Sequence, residues 1–532
     1  MPDKLPGAAP SFESPPVVWS IAGNDSGGGA GLSADLKAAG AFGVHLCPVV
    51  AAVTAQSSVE ITRVEPVAAE LLEAQLATLA TDLPPVVIKT GLLGSAENVE
   101  VVARWVDRLR ARGQVALVVD PVLGASTGAT FADDKMLTAY RELLLPRATV
   151  VTPNEREARR LLKVKGEPSS TPELARHLRS LGAASVAITG GDSTDTLAWS
   201  LDWIDTPHAS GWLSLPRVDT PHTHGTGCTF ATSAAAALAL GFVAADALVL
   251  AKMATTQALR QGHVAGQGAG PVGACGGFAV QPELMPRMSW GESPDSDFAP
   301  QAASAQNLGL YAIVDSAERV AQVVAAGVKT VQLRVKTPAV PDDNWVSALR
   351  KSISESVSAC REAGAQLIVN DHWKLAHELG ARAVHLGQED LCALGDAGRQ
   401  ELAATGLALG ISSHSLWELA RARSLNPAYV ACGPVWPTLT KAMPWRAQGL
   451  DNLAWWVRMA GVPVVAIGGI LEHEQLALAA QSGASGVCVV RGLGDNPATT
   501  IPLWQAALDQ GRRADPLPVP ALPHSSLDFK ES

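Results

Sequence analysis

QLIVNDHWKLAHELGARAVHLGQED (residues 366–390) carries the pattern that decides the fold. A short apolar run, QLIVND (366–371), ends on a carboxylate. Helix-like sequence follows, and a second apolar run, AVHLG (383–387), leads to another carboxylate, Asp390. A strand, a helix and a strand in that order read as a parallel crossover. The rhythm extends in both directions. GLYAIVD (309–315) and TVQLRV (330–335) precede it; LALGIS (407–412), YVACGPV (429–435), PVVAIGG (463–469) and GVCVV (486–490) follow it. Eight βα units within roughly 190 residues predict a small (β/α)8 TIM barrel over 307–505. Such a barrel carries its site at the C-terminal strand ends. Asp315, Arg334, Lys336, Asn370, Asp371, Gln388, Asp390, Ser412, Lys441 and Gly469 all fall there.

Upstream, from 17 to 280, the rhythm is looser. VVWSIAG (17–23), PVVAAVTA (48–55), VVIKTG (86–91), VALVVDPV (115–122), TVVTPN (149–154) and SVAITGG (185–191) read as strands between helices. TLAWSLDWI (196–204) and GWLSLPRVD (211–219) read as a hairpin. This predicts a mainly parallel sheet covered by helices on both faces, a three-layer α/β domain. Residues 281–306 are rich in Pro, Ser, Ala and acids and read as a linker. Residues 1–16 and 506–532 read as an unstructured N-terminus and tail.

The totals agree with two packed α/β domains. The chain has 532 residues, with 47% hydrophobic and 17% charged. Its net charge of −10, with no basic block, argues against non-specific binding to nucleic acid or a membrane surface, and the partners expected are small-molecule substrates. Self-association is left open. Seven scattered cysteines without a CxxC pair argue against disulfides or zinc and favour a reducing compartment. The first residues contain no apolar signal core and no Arg-rich transit segment, which predicts a cytoplasmic protein. The Ala-rich stretch 230–251 contains Asp246 and reads as a buried helix, not a membrane span.

In the barrel half, carboxylates on neighbouring strand ends, Asp371 and Asp390, suit a hard cation that also binds phosphate oxygens. Arg334 and Lys336 alternate along one strand end, so they are expected to point the same way. With Lys441 after the Thr-rich loop 438–440, they make a cradle for Mg²⁺-diphosphate. AIGGI (466–470) places glycines where a phosphate can meet backbone N–H groups. In the first half, AGNDSGGGAG (22–31) lacks the spacing of a dinucleotide loop, and no Walker A motif is present. HGTGCTF (224–230) offers Gly225, Gly227 and Cys228 at a helix start, a natural seat for a transferring phosphoryl group.

Taken as ordered sets, these motifs are recognisable. VQLRVK (331–336), VND (369–371), HLGQED (385–390), GISSH (410–414), GPVWPTLTK (433–441) and AIGGI (466–470) resemble thiamin phosphate synthase across nearly all of 307–495. The resemblance implies a pyrimidine diphosphate held by Gln332, Arg334, Lys336, Asn370, Ser412 and Lys441, and Mg²⁺ on Asp371 and Asp390. It implies a thiazole phosphate near Thr438, Thr440, Gly469, Val490 and Arg491. Val335 stands where the family usually has Glu, and strand alternation is expected to point it away from the cradle. Arg491 stands where a small residue is usual.

AGNDSGGGAGLSADLK (22–37), TAQSS (54–58), IKTGLLGS (88–95), DPV (120–122), TPNEREA (152–158) and DTPHTHGTGCT (219–229) resemble hydroxymethylpyrimidine/phosphomethylpyrimidine kinase, of ribokinase-like fold, over about 17–275. That implies ATP as co-substrate, pyrimidine contacts from Asp25 and Gln56, and an Asn154–Glu157 element near Mg-ATP. It places Cys228 as the base, its thiolate expected to be favoured by the helix N-terminus. Pro221, His222 and Thr189 depart from the family's Lys, Asn and Lys. The expected protein is thus a bifunctional thiamin-biosynthesis enzyme. Pyridoxal kinases and TenI-like barrels share the two folds, and a non-catalytic binding protein is a further alternative; the retained cradle, Cys228 and both Asp residues speak against these.

Overall fold

The computed structural model describes residues 14–124, 132–164, 170–191, 198–294, 307–437 and 444–527. Its first half is a ten-stranded sheet. Six strands are parallel: β1 (Val17–Asp25), β2 (His45–Gln56), β4 (Val87–Thr90), β5 (Ala116–Val119), β6 (Val150–Val151) and β7 (Val186–Ile188). The edges are antiparallel, with β3 (Ile61–Pro66) beside β2, and β8 (Trp199–Asp205), β9 (Ser210–Pro216) and β10 (Arg287–Met288) beyond β7. The order is β10-β9-β8-β7-β6-β5-β4-β1-β2-β3. Side-chain alternation divides the strands between two cores. Val18, Val87, Val118 and Val150 pack with the helices Thr226–Ala239 and Ala244–Arg260. Trp19, Ile88, Leu117 and Val151 pack on the opposite face with Ala96–Arg110. The expected three layers result from this period of two.

The second half is a closed barrel of eight parallel strands. They are β11 (Gly309–Val314), β12 (Thr330–Leu333), β13 (Gln366–Asn370), β14 (Ala383–Leu386), β15 (Ala408–Ser413), β16 (Tyr429–Cys432), β17 (Val464–Ala466) and β18 (Gly486–Val489). Each is covered outside by apolar helix faces, while Tyr311, Ile313, Ile368, Tyr429 and Val465 fill the interior. β12 stops at Leu333, so Arg334 and Lys336 lie beyond the strand and not on it. None of the helices among the described residues is long and apolar enough to cross a membrane.

Two segments differ from the sequence reading. Residues 281–294, expected as linker, belong to the folded body: Pro282–Leu284 forms a 3-10 turn and β10 pairs with β9. Leu284, Met285 and Met288 are buried there, and their apolar burial outweighs the Pro and Ser around them. Residues 295–306 lie outside the described residues. The tail also departs from expectation. The helix Pro497–Arg513 runs past 505, and the following chain lies on the barrel, with His524 N–H donating to Asn452 Oδ1 at 2.8 Å and Leu527 buried.

The two halves share a seam. Asp246, 1% exposed in Ala244–Arg260, accepts the Trp417 N–H at 2.9 Å at the start of barrel helix Leu416–Ser424. Arg421 of that helix donates to Ser210 O on β9 at 3.1 Å, and its carbonyl accepts from Trp290 Nε1 at 3.0 Å. Trp455, fully buried, donates from Nε1 to Ala279 O at 2.6 Å.

Candidate active sites

In the first half, β1 delivers Asp25 to its end, and the glycine loop folds back over the carboxylate. Oδ1 accepts Gly27 N–H at 2.8 Å; Oδ2 accepts Gly29 N–H at 3.0 Å and Ala30 N–H at 2.9 Å. His224 Nε2 lies 3.0 Å from the same Oδ2 and 3.3 Å from Gln56 Nε2. Burial pushes the Asp25 carboxyl up, but His224 and the Gly27 and Ala30 amides outweigh it and hold it below its ordinary value. Asp25 and Gln56 are therefore brought together, with His224 between them. Sequence reasoning misses His224 as a site residue, although it opens HGTGCTF.

Gly225 precedes Thr226–Ala239 at φ 88°, and a Cβ there would stand 2.2 Å from Gly29 O. The glycine loop and the helix start meet through that contact, which only glycine permits. Gly227 is exposed, and a Cβ added to it would meet nothing within 4 Å, so the first turn is bare on that side.

Behind this turn lies a charge cluster that sequence reasoning does not find. Lys89, on β4 and fully buried, donates to both oxygens of Asp35 at 3.0 Å and stands 3.7 Å from Asp120 Oδ2. Ser20 and Thr232 hydroxyls also donate to Asp35, at 2.6 and 2.7 Å. Burial pushes Asp120 up to about 6; Lys89 opposes this and Asp35 adds to it. Asp120 Oδ2 has no hydrogen-bond donor among the described residues. Cys228, partly exposed to solvent, feels the same cluster. The helix start is expected to acidify its thiol. Desolvation instead pushes it up to about 12; Lys89 opposes, but Asp120 and Asp35 add to the rise. Two carboxylates behind one ammonium, together with the loss of water, defeat the helix-terminus effect.

Asn154 and Glu157 are placed as a reciprocal cap on Glu155–Leu162. Asn154 Oδ1 accepts Glu157 N–H at 2.8 Å, and Glu157 Oε2 accepts Asn154 N–H at 3.0 Å. Thr189 bridges Asn154 through the backbone. His222 has a buried Nδ1 without a hydrogen-bond partner among the described residues, while Pro221 is exposed.

In the barrel, Gln332, Arg334, Lys336, Asn370, Asp371, Asp390, Ser412, Gly469, Val490 and Arg491 lie at or just past the C-terminal strand ends. Thr438, Thr440 and Lys441 lie outside the described residues. Asp371 is left-handed at φ 64°, unusual for a residue with a Cβ. Burial and the neighbouring Asp390 charge push its carboxyl up, against His372 and Arg334. Asp390 also accepts Gly387 N–H at 3.0 Å, at the first turn of Gln388–Ala393. Two mutually repelling oxygen donors, one held in a strained conformation, fit a hard divalent cation. Val335 packs against the apolar core although it lies past the end of β12, where strand alternation no longer applies. Gly469, at φ 73°, packs against Trp436, whose oxygen would stand 2.6 Å from a Cβ there. Arg491 is exposed, and its side chain has no hydrogen-bond or ion-pair partner among the described residues.

Below the cradle runs a buried polar chain. Gln332 Nε2 donates to Tyr311 OH at 2.9 Å, and Tyr311 and Tyr429 hydroxyls share a hydrogen bond of 2.7 Å. His385 Nδ1 meets Tyr429 OH at 2.9 Å, and its Nε2 meets Ser412 Oγ at 2.8 Å. Burial, with Arg334 and His414 adding, draws His385 down to about 4, so its imidazole is neutral near pH 7. Gly410 makes room for the Tyr429 ring, which a Cβ would approach to 2.2 Å. Alternation could have identified this chain: these are polar residues at inward-facing strand positions, where a barrel normally carries aliphatic ones.

The two halves thus pair a three-layer sheet domain with an eight-stranded barrel that gathers Arg334, Asp371 and Asp390 at one mouth, the class of a kinase joined to a barrel synthase. A model of the phosphomethylpyrimidine kinase family matches residues 25–273, and one of thiamine monophosphate synthase matches 310–493. The chain is 32% identical over 507 residues to the probable thiamine biosynthetic bifunctional enzyme, chloroplastic, of Oryza sativa subsp. japonica, covering 91% of this chain and 86% of that one. A hydroxymethylpyrimidine/phosphomethylpyrimidine kinase of Synechococcus elongatus is 40% identical over 260 residues, 48% of this chain and 97% of its own. A thiamine-phosphate synthase of Neisseria meningitidis is 45% identical over 206 residues, 38% of this chain and 95% of its own. The chain belongs to the family of bifunctional thiamine biosynthetic enzymes, with a hydroxymethylpyrimidine/phosphomethylpyrimidine kinase half followed by a thiamine-phosphate synthase half.

Proposed function

We propose that the first half uses ATP to phosphorylate 4-amino-5-hydroxymethyl-2-methylpyrimidine and then its monophosphate. The barrel then joins the resulting diphosphate to 4-methyl-5-(2-phosphoethyl)thiazole, giving thiamin phosphate and pyrophosphate. The observation that carries this reading is the gathering of Arg334, Asn370, Asp371, Asp390 and Ser412 at one mouth of the barrel. Asp371 and Asp390 would hold Mg²⁺, which neutralises charge on the leaving diphosphate. Arg334 and Lys336 take the remaining phosphate charge, and Gln332, Asn370 and Ser412 orient the substrate. The bond from the pyrimidine methylene to the diphosphate oxygen breaks, and the thiazole nitrogen attacks the resulting cation. Neutral His385 keeps Ser412 positioned and adds no positive charge beside that cation. Val490 and Arg491, with Gly469, are assigned to the thiazole phosphate. Thr438, Thr440 and Lys441 are assigned from sequence alone.

In the kinase half, Asp25 and Gln56 face the pyrimidine, and Gly225 and Gly227 offer N–H groups to the transferring phosphoryl group. Asn154 and Glu157 border the Mg-ATP. Cys228 is the proton acceptor expected from sequence. A second reading is favoured by the acidities: Asp120, at about 6, is ionised near pH 7, whereas a thiol near 12 is not.

Purified chain given the hydroxymethylpyrimidine, thiazole phosphate, Mg²⁺ and ATP yields thiamin phosphate by mass spectrometry; folded protein without product refutes the proposal. Asp371→Ala accumulates the pyrimidine diphosphate. Cys228→Ala stops the coupled reaction but not synthesis from supplied diphosphate. If Cys228→Ala retains kinase activity and Asp120→Asn does not, Asp120 is the base.

A further inference from the structure

Beyond helix Pro497–Arg513 the chain carries Pro516, Pro518, Pro520 and Pro523, and prolines stiffen an extended segment so that docking it costs less entropy. The segment starts on helix His473–Gln481, where Gln481 Nε2 donates to Asp515 O at 2.7 Å. It finishes with Ser525, Ser526 and Leu527 buried. There it meets residues 445–448, which form neither helix nor strand and must satisfy their backbone groups one by one. Arg446 N–H donates to Ser526 O at 2.9 Å, and the carbonyl of fully buried Gln448 accepts from His524 Nε2 at 2.9 Å. Two more bonds join this stretch to the chain just past β16: Gln448 N–H to Pro434 O at 2.7 Å and Gly449 N–H to Val435 O at 3.0 Å. His524 is fixed in turn by Asn452, whose Oδ1 accepts its N–H at 2.8 Å and whose Nδ2 donates to its carbonyl at 3.0 Å.

The same stretch touches the end of β15, the strand that delivers Ser412. Gln448 Nε2 donates to His414 O at 2.6 Å, and the Trp445 ring stacks on the His414 imidazole with centroids 5.1 Å apart and 10° between planes. A run of contacts therefore leads from His524 through Gln448 to a residue two places from Ser412. We propose that His524 is a positioning residue of the synthase: it ties 445–448 down and so fixes the β15 end that presents Ser412 to the pyrimidine diphosphate. This rests on the assignment of Ser412 to that substrate. Without the tie, the buried Gln448 carbonyl loses its donor and the stretch is free to shift off His414. All of these residues belong to the barrel half, so the kinase reaction is untouched.

The test is synthase kinetics on full-length His524→Ala with the pyrimidine diphosphate supplied directly. Its KM for that substrate rises about three- to tenfold, the loss expected when one buried hydrogen bond is passed on to a substrate contact, while kinase kcat/KM equals wild type. His524→Phe, which keeps a ring but cannot donate, raises the KM equally and serves as the second variant. His524→Gln, whose amide still donates to Gln448 O, recovers the wild-type KM. A role in stability alone would lower the urea midpoint of these variants without moving the KM of the folded enzyme. Ser412→Ala raises the same KM; an unchanged KM there refutes the assignment of Ser412 on which the tie depends. A raised KM in Ser412→Ala with an unchanged KM in His524→Ala and His524→Phe overturns the proposal, as does a His524→Gln enzyme no better than His524→Ala.

Discussion

Replacing Asp246 by Asn tests the seam through its pH dependence. The carboxyl is buried between the halves, its Oδ1 takes the Trp417 N–H, and its Oδ2 has no hydrogen-bond partner among the described residues. Burial, opposed by backbone donors at the barrel helix and reinforced by Glu418, pushes it up to about 7 from an ordinary 3.8. The folded protein therefore holds this proton more tightly than the unfolded chain does. Stability from this group is greatest below about pH 4, falls as pH rises, and has fallen by about 4 kcal/mol above pH 7. Asn keeps an acceptor for Trp417 and never ionises. Urea unfolding of wild type and Asp246→Asn across pH 4.5 to 8 should therefore show Asn gaining on Asp, by about 2–4 kcal/mol over that span. The difference between the two proteins is the quantity to measure, because His385 works in the opposite direction in wild type. A difference that does not change with pH refutes the reasoning, and a difference that falls with pH refutes its sign.

His385→Gln gives the mirror experiment. Its imidazole falls to about 4 on folding, so wild type gains about 3 kcal/mol over the variant as pH rises from 4 to 7, read by the same unfolding curves. Gly225→Ala forces a Cβ to 2.2 Å from Gly29 O and should cost kinase kcat/KM about a hundredfold while synthase turnover stays unchanged. Lys89→Met leaves Asp35 and Asp120 facing each other unpaired and should cost about 3–5 kcal/mol, seen as a lowered urea midpoint of the first half. Gly410→Ala pushes on the Tyr429 ring and should cost about 1–3 kcal/mol and slow the synthase but not the kinase, in separate assays of the two steps.

The strands were legible because buried parallel strands are short apolar runs, and the barrel site because polar residues interrupt those runs at one end. What escaped was set by partners distant in sequence. Asp246 looks like one polar residue in an alanine helix until Trp417, 171 residues away, is seen above it. Residues 281–294 have a linker's composition, yet two methionines and a leucine decide their fate. A helix start alone suggests an acidic Cys228, while burial reverses that, with Asp120 and Asp35 from other elements adding to it. Arg334 and Lys336 follow a strand that ends sooner than their sequence suggests, since a strand's last residue depends on its neighbour's pairing and not on its own type.

The seam has a practical consequence for anyone who divides this protein. A cut between 294 and 307 leaves the contacts of Trp455, Arg421 and Asp246 in place. The pieces would remain a complex, held by Trp455, Arg421 and Asp246 rather than by the peptide. Expressed separately, each would expose an apolar wound that its free-standing counterparts have no reason to carry, and each would need its partner, or a repainted surface, to stay in solution.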